Sequence, residues 1–355
     1  MKTRSVKIGS IIIGGGAPVA VQSMCNTKTK DVKATIEQIK RLTDLGCEII
    51  RCGVPDMESA LALDKIKSKI KIPLVADIHY DYKLAIASFK SGADKIRINP
   101  GNIGSQEKVK AIIDAAKEHK AAIRIGVNAG SLKTNATYHM TVSSGIEKVD
   151  KMVSSLMEHV EFFEKNDFKN IVVSLKAHDV PETLAAYRLF NKLRDYPLHI
   201  GITEAGTSLS GTIKSSVGLG ILLNEGLGDT MRVSLTADPE EEIYAAYKIL
   251  STLGLRRVGV ELISCPTCAR TEINVIKLAK EVEKMTKNIK KPLKIAVMGC
   301  SVNGPGEAKE ADLGVSGGRG IGLIFKGGEI IKRVPKKNLL KEFEKELKKL
   351  IKPKK

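Results

Sequence analysis

The sequence predicts a (β/α)8 TIM barrel followed by a smaller α/β domain. Between residues 17 and 252, short apolar segments alternate with amphipathic segments at roughly 25–35 residues per unit, as in repeated βα units. Eight such units within about 240 residues match the size of a closed parallel barrel. A second alternation starts near Leu255, so we expect domains at residues 1–254 and 255–355.

The barrel strands are expected where each unit begins with an apolar segment. These segments are 18–24, 48–53, 73–78, 95–99, 122–127, 170–175, 198–203 and 230–235. Helices are expected between them, at segments such as 31–45, 57–70, 106–119, 149–165, 182–193 and 240–253. Residues 5–13 precede the first barrel strand and are expected to form a small plug or hairpin, with its turn supplied by Gly14, Gly15 and Gly16.

The second domain should begin with strands at 257–263 and 293–298, each running into a cysteine-bearing loop, with a helix at 271–287 between them. Short strands at 313–316, 322–325 and 330–334 and a lysine-rich tail helix follow. In that tail, Leu339, Phe343 and Leu347 recur at helical spacing with charges between them, which predicts an amphipathic helix with a solvated basic face.

Polar side chains stand at the carboxyl end of nearly every predicted barrel strand. In a barrel these ends converge on one mouth, where active sites lie. A doubly wound sheet, the alternative architecture, does not predict this convergence. The expected substrate-binding residues are Arg51, Asp77, His79, Arg97, Asn99, Arg124, Asn128, Ser174, Lys176, Thr203, Arg232 and Ser234.

The charge of this mouth indicates an anionic ligand. Five of its residues are cations, whereas Asp77 and Glu204 are its carboxylates. Arginine binds phosphate oxygens bidentately, and the loops at 99–104 and 201–208 add backbone donors near helix starts. We therefore expect a diphosphate ligand, which fits better than a monophosphate, with the carboxylates left for hydroxyl binding or proton transfer.

Cys265, Cys268 and Cys300, with Glu307 seven residues further on, form a candidate metal site. Thiolates suit an iron–sulfur cluster or zinc, and a carboxylate is a weaker partner for cluster iron, so one corner could yield to a substrate. The other cysteines, at positions 25, 47 and 52, are expected to be small buried hydrophobes.

The chain carries a formal net charge of +18. No apolar segment approaches the roughly 20 residues that span a bilayer, and the N-terminus lacks a signal-peptide core, so a cytoplasmic protein is expected. Aromatic residues do not interleave with the tail lysines as in single-strand binders, so neither a membrane nor a nucleic acid is expected as partner.

Taken in order, the motifs resemble those of bacterial 4-hydroxy-3-methylbut-2-enyl diphosphate synthases. The resemblance is carried by Cys265-Pro-Thr-Cys268, by 298–307 (MGCSVNGPGE), and by 75–79 (VADIH), 95–102 (KIRINPGN), 123–131 (IRIGVNAGS) and 202–206 (ITEAG). It covers essentially the whole chain, without the extra middle domain of plant-type relatives.

The resemblance implies an iron–sulfur oxidoreductase of isoprenoid biosynthesis. It implies a [4Fe-4S] cluster on Cys265, Cys268, Cys300 and Glu307, and reductive opening of 2-C-methyl-D-erythritol 2,4-cyclodiphosphate. Reduced flavodoxin or ferredoxin would deliver two single electrons, and Glu204 would be the candidate proton donor.

Two other interpretations remain open from the residues alone. A zinc-stabilised barrel of the aldolase or pterin-synthase kind, acting on a phosphorylated substrate, could use the three thiolates with Glu307 or a water as a structural site. A nucleic-acid binder could use the basic tail. Siroheme reductases share a similar small domain, but they need a fourth cysteine, which this chain lacks nearby.

The topology also predicts a dimer. The eighth barrel helix runs from the mouth to the opposite face, and residues 254–257 are too few to return, since a helix of about 14 residues covers roughly 20 Å. The second domain would then lie below its own barrel and cap the mouth of a partner in a head-to-tail homodimer.

Overall fold

The computed structural model of this chain describes residues 2–128, 138, 140, 142–300, 306, 308–318 and 320–351. The chain divides into two compact units, Met1–Arg256 and Arg257–Lys355, and each is described by itself. Within the described ranges, no helix combines the length and the apolar character needed to cross a membrane.

The first unit contains an N-terminal hairpin, eight barrel strands and nine described helices. The hairpin strands are β1 (Val6–Ile8) and β2 (Ile11–Ile13). The barrel strands are β3 (Ala20–Met24), β4 (Ile49–Gly53), β5 (Leu74–Asp77), β6 (Lys95–Ile98), β7 (Ala122–Asn128), β8 (Ile171–Lys176), β9 (His199–Ile200) and β10 (Thr230–Met231). The helices are α1 (Val32–Asp44), α2 (Met57–Lys67), α3 (Tyr82–Lys90), α4 (Pro100–Ile103), α5 (Gln106–Glu118), α6 (Glu147–Lys165), α7 (Val180–Leu193), α8 (Ser208–Asn224) and α9 (Pro239–Thr252).

The eight barrel strands form one parallel sheet in the order β8-β7-β6-β5-β4-β3-β10-β9. A parallel bridge between Val173 of β8 and Leu198, directly before β9, joins the two ends of the sheet. Apolar side chains such as Ile50, Ile96 and Ile125 are fully buried, as expected for a parallel sheet covered by helices. The predicted barrel is therefore confirmed.

Aspartates fix the starts of several barrel helices. The side chains of Asp31, Asp56, Asp81 and Asp179 each accept a hydrogen bond from a backbone N–H in the first turn of α1, α2, α3 and α7. Such N-caps satisfy donors that have no partner within the helix. Each helix therefore begins a few residues after the strand end that contributes to the mouth.

The N-terminal hairpin closes the end of the barrel opposite the mouth. Val6, Ile8 and Ile13 pack in one apolar cluster with the first inward residues of the barrel strands, Ala20, Ile49, Val75, Ala122 and Val172. The predicted hairpin is confirmed, but its expected turn is wrong. The chain reverses at Gly9 and Ser10, where Gly9 has φ +53°, and the triplet 14–16 follows β2.

The second unit is a five-stranded sheet with two described α-helices. Its strands are β11 (Val260–Ser264), β12 (Leu293–Met298), β13 (Leu313–Gly317), β14 (Ile321–Lys326) and β15 (Glu329–Pro335), in spatial order. The strands β11, β12 and β13 run parallel to one another. The pairs β13–β14 and β14–β15 are antiparallel. The helices are α10 (Val275–Thr286) and α11 (Leu339–Ile351), and Leu339, Phe343 and Leu347 of α11 are buried, which confirms the amphipathic tail helix.

Candidate active site

Inward-facing residues at the carboxyl ends of β4, β5 and β6 form a charged group around Asp77. The Nε of Arg51 lies 3.9 Å from Asp77 Oδ2, the Nη1 of Arg97 lies 3.4 Å from Oδ1, and His79 Nε2 lies 3.7 Å from Oδ2. Burial alone raises the pKa of Asp77, but Arg51 and then Arg97 outweigh it and hold that pKa below its usual value. Asp77 is thus an ionised carboxylate that orients two guanidinium groups.

Arg232 has a partner that the sequence did not suggest. Its Nη2 lies 3.2 Å from Oε1 of Glu242, a buried residue of α9, and its Nε donates to Oε2 at 3.3 Å. The Met24 sulfur at the end of β3 accepts from Arg51 at 2.9 Å and from Arg232 at 3.5 Å. The expected balance of charges at the mouth therefore omitted Glu242.

Arg124 and Lys176 are the least compensated cations of the mouth. Arg124 is 1% exposed, and its Nε and Nη1 have no hydrogen-bond partner in the part of the chain that the structure describes. Burial, followed by repulsion from Arg51, lowers its pKa, and burial followed by repulsion from Arg124 lowers the pKa of Lys176. Buried donors without acceptors are costly, so this arrangement is suited to receive an anion.

The other predicted mouth residues differ in exposure. Ser174 is buried, Thr203 and Ser234 are half-buried, and His79 and Glu204 are exposed. Asn99 is buried and its side chain accepts from the Gly101 N–H at 3.2 Å, capping α4. Asn128 is the last residue of β7, with Lys176 as its Cα partner in the ladder.

Two glycines that the sequence analysis did not predict as site residues keep the mouth open. A Cβ at Gly126 would lie 3.2 Å from Nε of Arg97, and a Cβ at Gly201 would lie 2.5 Å from Nζ of Lys176. Both positions face the lumen at the level of the cations. A side chain at either position would compete for space with the predicted ligand-binding groups.

A polar layer lies inside the barrel below the mouth, and the sequence analysis did not identify it. Lys95 at the start of β6 is fully buried, and its Nζ donates to Gln22 Oε1 of β3 at 3.4 Å. His199 of β9 is also fully buried, with Nδ1 2.8 Å from Thr230 Oγ1 of β10. Lys95, His199 and Thr230 stand at the starts of their strands, whereas the predicted mouth residues lie at strand ends.

In the second unit, two cysteine loops leave the same edge of the sheet. Cys265 directly follows β11 and Cys300 lies two residues after β12, and these strands are parallel, with Ser264 opposite Val297. The Gly299 N–H donates to Cys265 Sγ at 3.1 Å. Cys268 is exposed, and a backbone hydrogen bond from Arg270 is the main cause that lowers its pKa.

The donor chemistry of these loops fits a thiolate-bound metal. A backbone N–H on a sulfur stabilises the thiolate, and such bonds are a recognised influence on cluster sulfurs. Among the described residues, no three His, Cys, Asp or Glu side chains are gathered closely enough to hold a metal ion. The fourth predicted ligand, Glu307, lies outside the described residues.

A parallel barrel with a buried cationic mouth, followed by an α/β domain with cysteines at one sheet edge, defines an α/β-barrel enzyme with a thiol-bearing second domain. Residues 3–247 match the GcpE TIM-barrel domain, and residues 261–349 match the GcpE protein C-terminal domain. The chain therefore belongs to the 4-hydroxy-3-methylbut-2-en-1-yl diphosphate synthase family and is an oxidoreductase, as its motifs predicted.

Two relatives illustrate the match. The 4-hydroxy-3-methylbut-2-en-1-yl diphosphate synthase (flavodoxin) of Caldanaerobacter subterraneus subsp. tengcongensis is 57% identical over 350 residues, covering 99% of this chain and 98% of the relative. The enzyme of the same name from Geobacter sulfurreducens is 53% identical over 350 residues, with coverage of 99% and 98%.

Among solved structures, dihydropteroate synthase from Stenotrophomonas maltophilia is similar to the barrel. It has a TM-score of 0.52 and 14% identity, and the alignment covers 70% of this chain and 98% of that chain. At this identity the likeness supports the barrel fold alone.

Proposed function

We propose that this enzyme reductively opens 2-C-methyl-D-erythritol 2,4-cyclodiphosphate to 4-hydroxy-3-methylbut-2-enyl diphosphate, with loss of one hydroxyl as water. The observation that carries the proposal is the pair of buried cations Arg124 and Lys176, which form no ion pair with a carboxylate in the described ranges. A diphosphate supplies the missing negative charge and the acceptors that the free Arg124 donors need.

In this proposal the residues of the mouth have different roles in binding the substrate. Arg51, Arg97, Arg124, Lys176 and Arg232 bind the diphosphate. Asp77 holds Arg51 and Arg97 in place, and Glu242 does the same for Arg232. The remaining predicted residues would hydrogen-bond the hydroxyl groups of the ligand, namely His79, Asn99, Asn128, Ser174, Thr203 and Ser234.

Glu204 is proposed as the proton donor. It is exposed at the mouth in a left-handed conformation with φ +51°, which a residue with a Cβ adopts only at a cost of about 1 kcal/mol. Such strain is retained where the position of a side chain matters. The conformation therefore supports a functional carboxylate here.

Cys265, Cys268, Cys300 and Glu307 are proposed to hold a [4Fe-4S] cluster. When bound, such a cluster supplies electrons one at a time and offers an iron of Lewis-acid character at its most weakly held corner. The hydrogen bond from Gly299 to the Cys265 sulfur supports this assignment. Flavodoxin, which is part of the relatives' name, is the proposed electron donor, with ferredoxin as the other candidate. The net charge of +18 favours acidic carriers.

The test is anaerobic purification followed by absorption and EPR spectra with and without the cyclodiphosphate. A brown protein whose spectrum changes on adding substrate, and which turns substrate over with reduced flavodoxin, is expected. Glu307→Ala should keep part of the cluster and lose most turnover, whereas Cys47→Ala, a buried thiol of the barrel, should keep both. A colourless protein with stoichiometric zinc would overturn the proposal in favour of a structural zinc site.

A head-to-tail homodimer is proposed as the active form. Mixing Arg51→Ala with Cys300→Ser protein should restore one intact site per heterodimer, because each subunit supplies what the other lacks. No recovery after verified subunit exchange would instead place both halves of the site on one chain.

A further inference from the structure

Lys95 has no role in the site described above, although it lies inside the barrel. It is two residues before Arg97 on β6, and residues two apart on a strand face the same side. Lys95 therefore projects into the lumen one step below the cationic mouth. It is fully buried, whereas lysine is almost never fully buried unless it is paired.

The Lys95 side chain reaches across the lumen. Its Nζ donates to Gln22 on β3, and β3 is three strands away from β6 in the sheet order. An amine that contacts the third strand along is close to the barrel axis. The apolar cluster of the hairpin closes the lumen underneath, so the amine lies between that floor and the cations of the mouth.

Nothing in the described lumen compensates a charge on Lys95. Among the described residues, its one hydrogen-bond partner is the neutral amide of Gln22 at 3.4 Å, near the limit for a hydrogen bond. Burial lowers the pKa of its amine well below the usual value, and Arg124 and then Arg51 lower it further. An isolated buried ammonium is expensive, so burial and the neighbouring cations favour the neutral amine in the ligand-free protein.

The other charged and titratable groups that face the lumen are mainly cations. Gln22 on β3 is neutral, and Asp77 on β5 is already shared by two arginines. The remaining groups are Arg51 on β4, Arg97 on β6, Arg124 on β7, Lys176 on β8, His199 on β9 and Arg232 beyond β10, which is paired with Glu242. A dianionic diphosphate would therefore offset most of the positive charge above Lys95.

We infer that Lys95 is a positioning residue of the diphosphate site, which takes up one proton when the anion enters the mouth. The inference rests on the proposed function, because it takes the cyclodiphosphate as the ligand. The amine lone pair accepts a proton from the acid form of the buffer, and the resulting ammonium completes the cationic floor beneath the diphosphate. Lys95 thereby couples substrate affinity to pH without touching the reacting atoms.

The experiment is calorimetric titration of the anaerobic holoenzyme with the cyclodiphosphate at about pH 8, without reductant, in Tris and in Hepes. Each phosphorus of this ligand carries a single strongly acidic hydroxyl, so the ligand itself does not titrate there. The difference in binding enthalpy between the two buffers gives the number of protons taken up. We expect about one proton for wild type, and an apparent Kd that rises about tenfold per pH unit in this range.

Lys95→Met and Lys95→Arg are the informative variants. Methionine fills the volume without a titratable group, and arginine is always charged, so both should lose the proton uptake and the pH slope. Lys95→Arg should bind at least as tightly as wild type at high pH. Lys110→Met, an exposed lysine of α5, should behave as wild type.

The possible failures are distinguishable. Wild type that binds the cyclodiphosphate without proton uptake, or a Lys95→Met variant that keeps the uptake, would overturn the inference and leave the proposed function intact. Wild type that does not bind the cyclodiphosphate would overturn the proposed function. Thermal melting of both variants checks folding, and if Lys95→Arg does not fold, Lys95→Met alone decides.

Discussion

Gly201 lies where the ammonium of Lys176 crosses the mouth of the barrel, and the two positions cannot both carry a side chain there. A Cβ built on Gly201 would be 2.5 Å from Lys176 Nζ and 2.8 Å from the carbonyl oxygen of Arg232. Lys176 reaches this place from β8, whereas Gly201 directly follows β9. The absence of a side chain at Gly201 therefore leaves the space that the Lys176 side chain occupies.

Gly201→Ala should damage the site more than the fold. The methyl group must displace a flexible lysine end and press on a backbone carbonyl, which costs about 1–3 kcal/mol for overpacking. Because Lys176 is then pushed from its place, we expect KM for the cyclodiphosphate to rise at least tenfold. Steady-state kinetics and urea unfolding measure the two effects.

Gly220→Ala is the matched control for that substitution. Gly220 lies inside α8, and nothing stands within 4 Å of its would-be Cβ among the described residues. Alanine in a helix interior is favoured over glycine by about 0.5–1 kcal/mol. We expect unchanged kinetics and a small gain in stability; equal loss of activity in both variants would show that the space at 201 is irrelevant.

Asp77→Asn should lower both stability and activity. The carboxylate is 3% exposed and faces Arg51 and Arg97, so its removal leaves two buried cations without their counter-charge, at a cost of about 3 kcal/mol. Urea unfolding measures the loss. Added cyclodiphosphate should restore more stability to Asp77→Asn than to wild type, since the ligand brings negative charge.

The exposed Asp64 on α2 offers a control, and Asp64→Asn should change stability by less than about 0.5 kcal/mol. If Asp77→Asn is as stable as wild type, then Asp77 does not hold the arginines, and its place in the proposed site is lost.

The barrel could be predicted because its strands are buried on one face by helices and carry polar groups where they end. The prediction was least accurate at β9 and β10, which are expected over six residues each and extend over two, His199–Ile200 and Thr230–Met231. Beyond β9 the chain leaves the ladder through Glu204 at φ +51° and Gly206 at φ +121°. No propensity argument places a glutamate in a left-handed conformation.

The mouth was predicted from polar residues at strand ends. The two residues that were not predicted, Glu242 and Lys95, lie at other places in the fold. Glu242 sits in the acidic first turn of α9, where three glutamates in a row are typical of a solvated helix start. Lys95 begins its strand rather than ending it. Both side chains become part of the site only through the closure of the barrel, which brings distant strands and helices around one lumen.

In metal-free, reduced protein, the cysteines should differ in their reactivity towards a thiol reagent. Cys268 is exposed and its pKa is lowered by the backbone hydrogen bond from Arg270, so it should react first. Its reaction with a thiol reagent should also persist to lower pH than that of a free cysteine, because the thiolate is the reacting form. Mass spectrometry of partly labelled protein identifies the site.

The three barrel cysteines should react only after unfolding. Cys25, Cys47 and Cys52 are buried, and burial raises the pKa of Cys47 to about 12. Metal-loaded protein should protect Cys268 as well, since a ligand thiolate is no longer free. Rapid labelling of Cys268 in the loaded enzyme would contradict its assignment as a ligand.

Phe343→Ala should detach the tail helix from the sheet of the second unit. Phe343 is fully buried on α11 and belongs to the same apolar cluster as Ile295, Val315 and Ile324. Truncating a buried phenylalanine costs about 3–5 kcal/mol through lost burial and the cavity left behind. Urea unfolding should show this loss, and limited proteolysis should cut the tail of the variant before that of wild type. Lys341→Ala, on the exposed side of the same helix, should stay within about 0.5 kcal/mol of wild type, because the lysines of this tail face solvent rather than core. Similar losses for both variants would mean that α11 is held by its charges and not by Phe343.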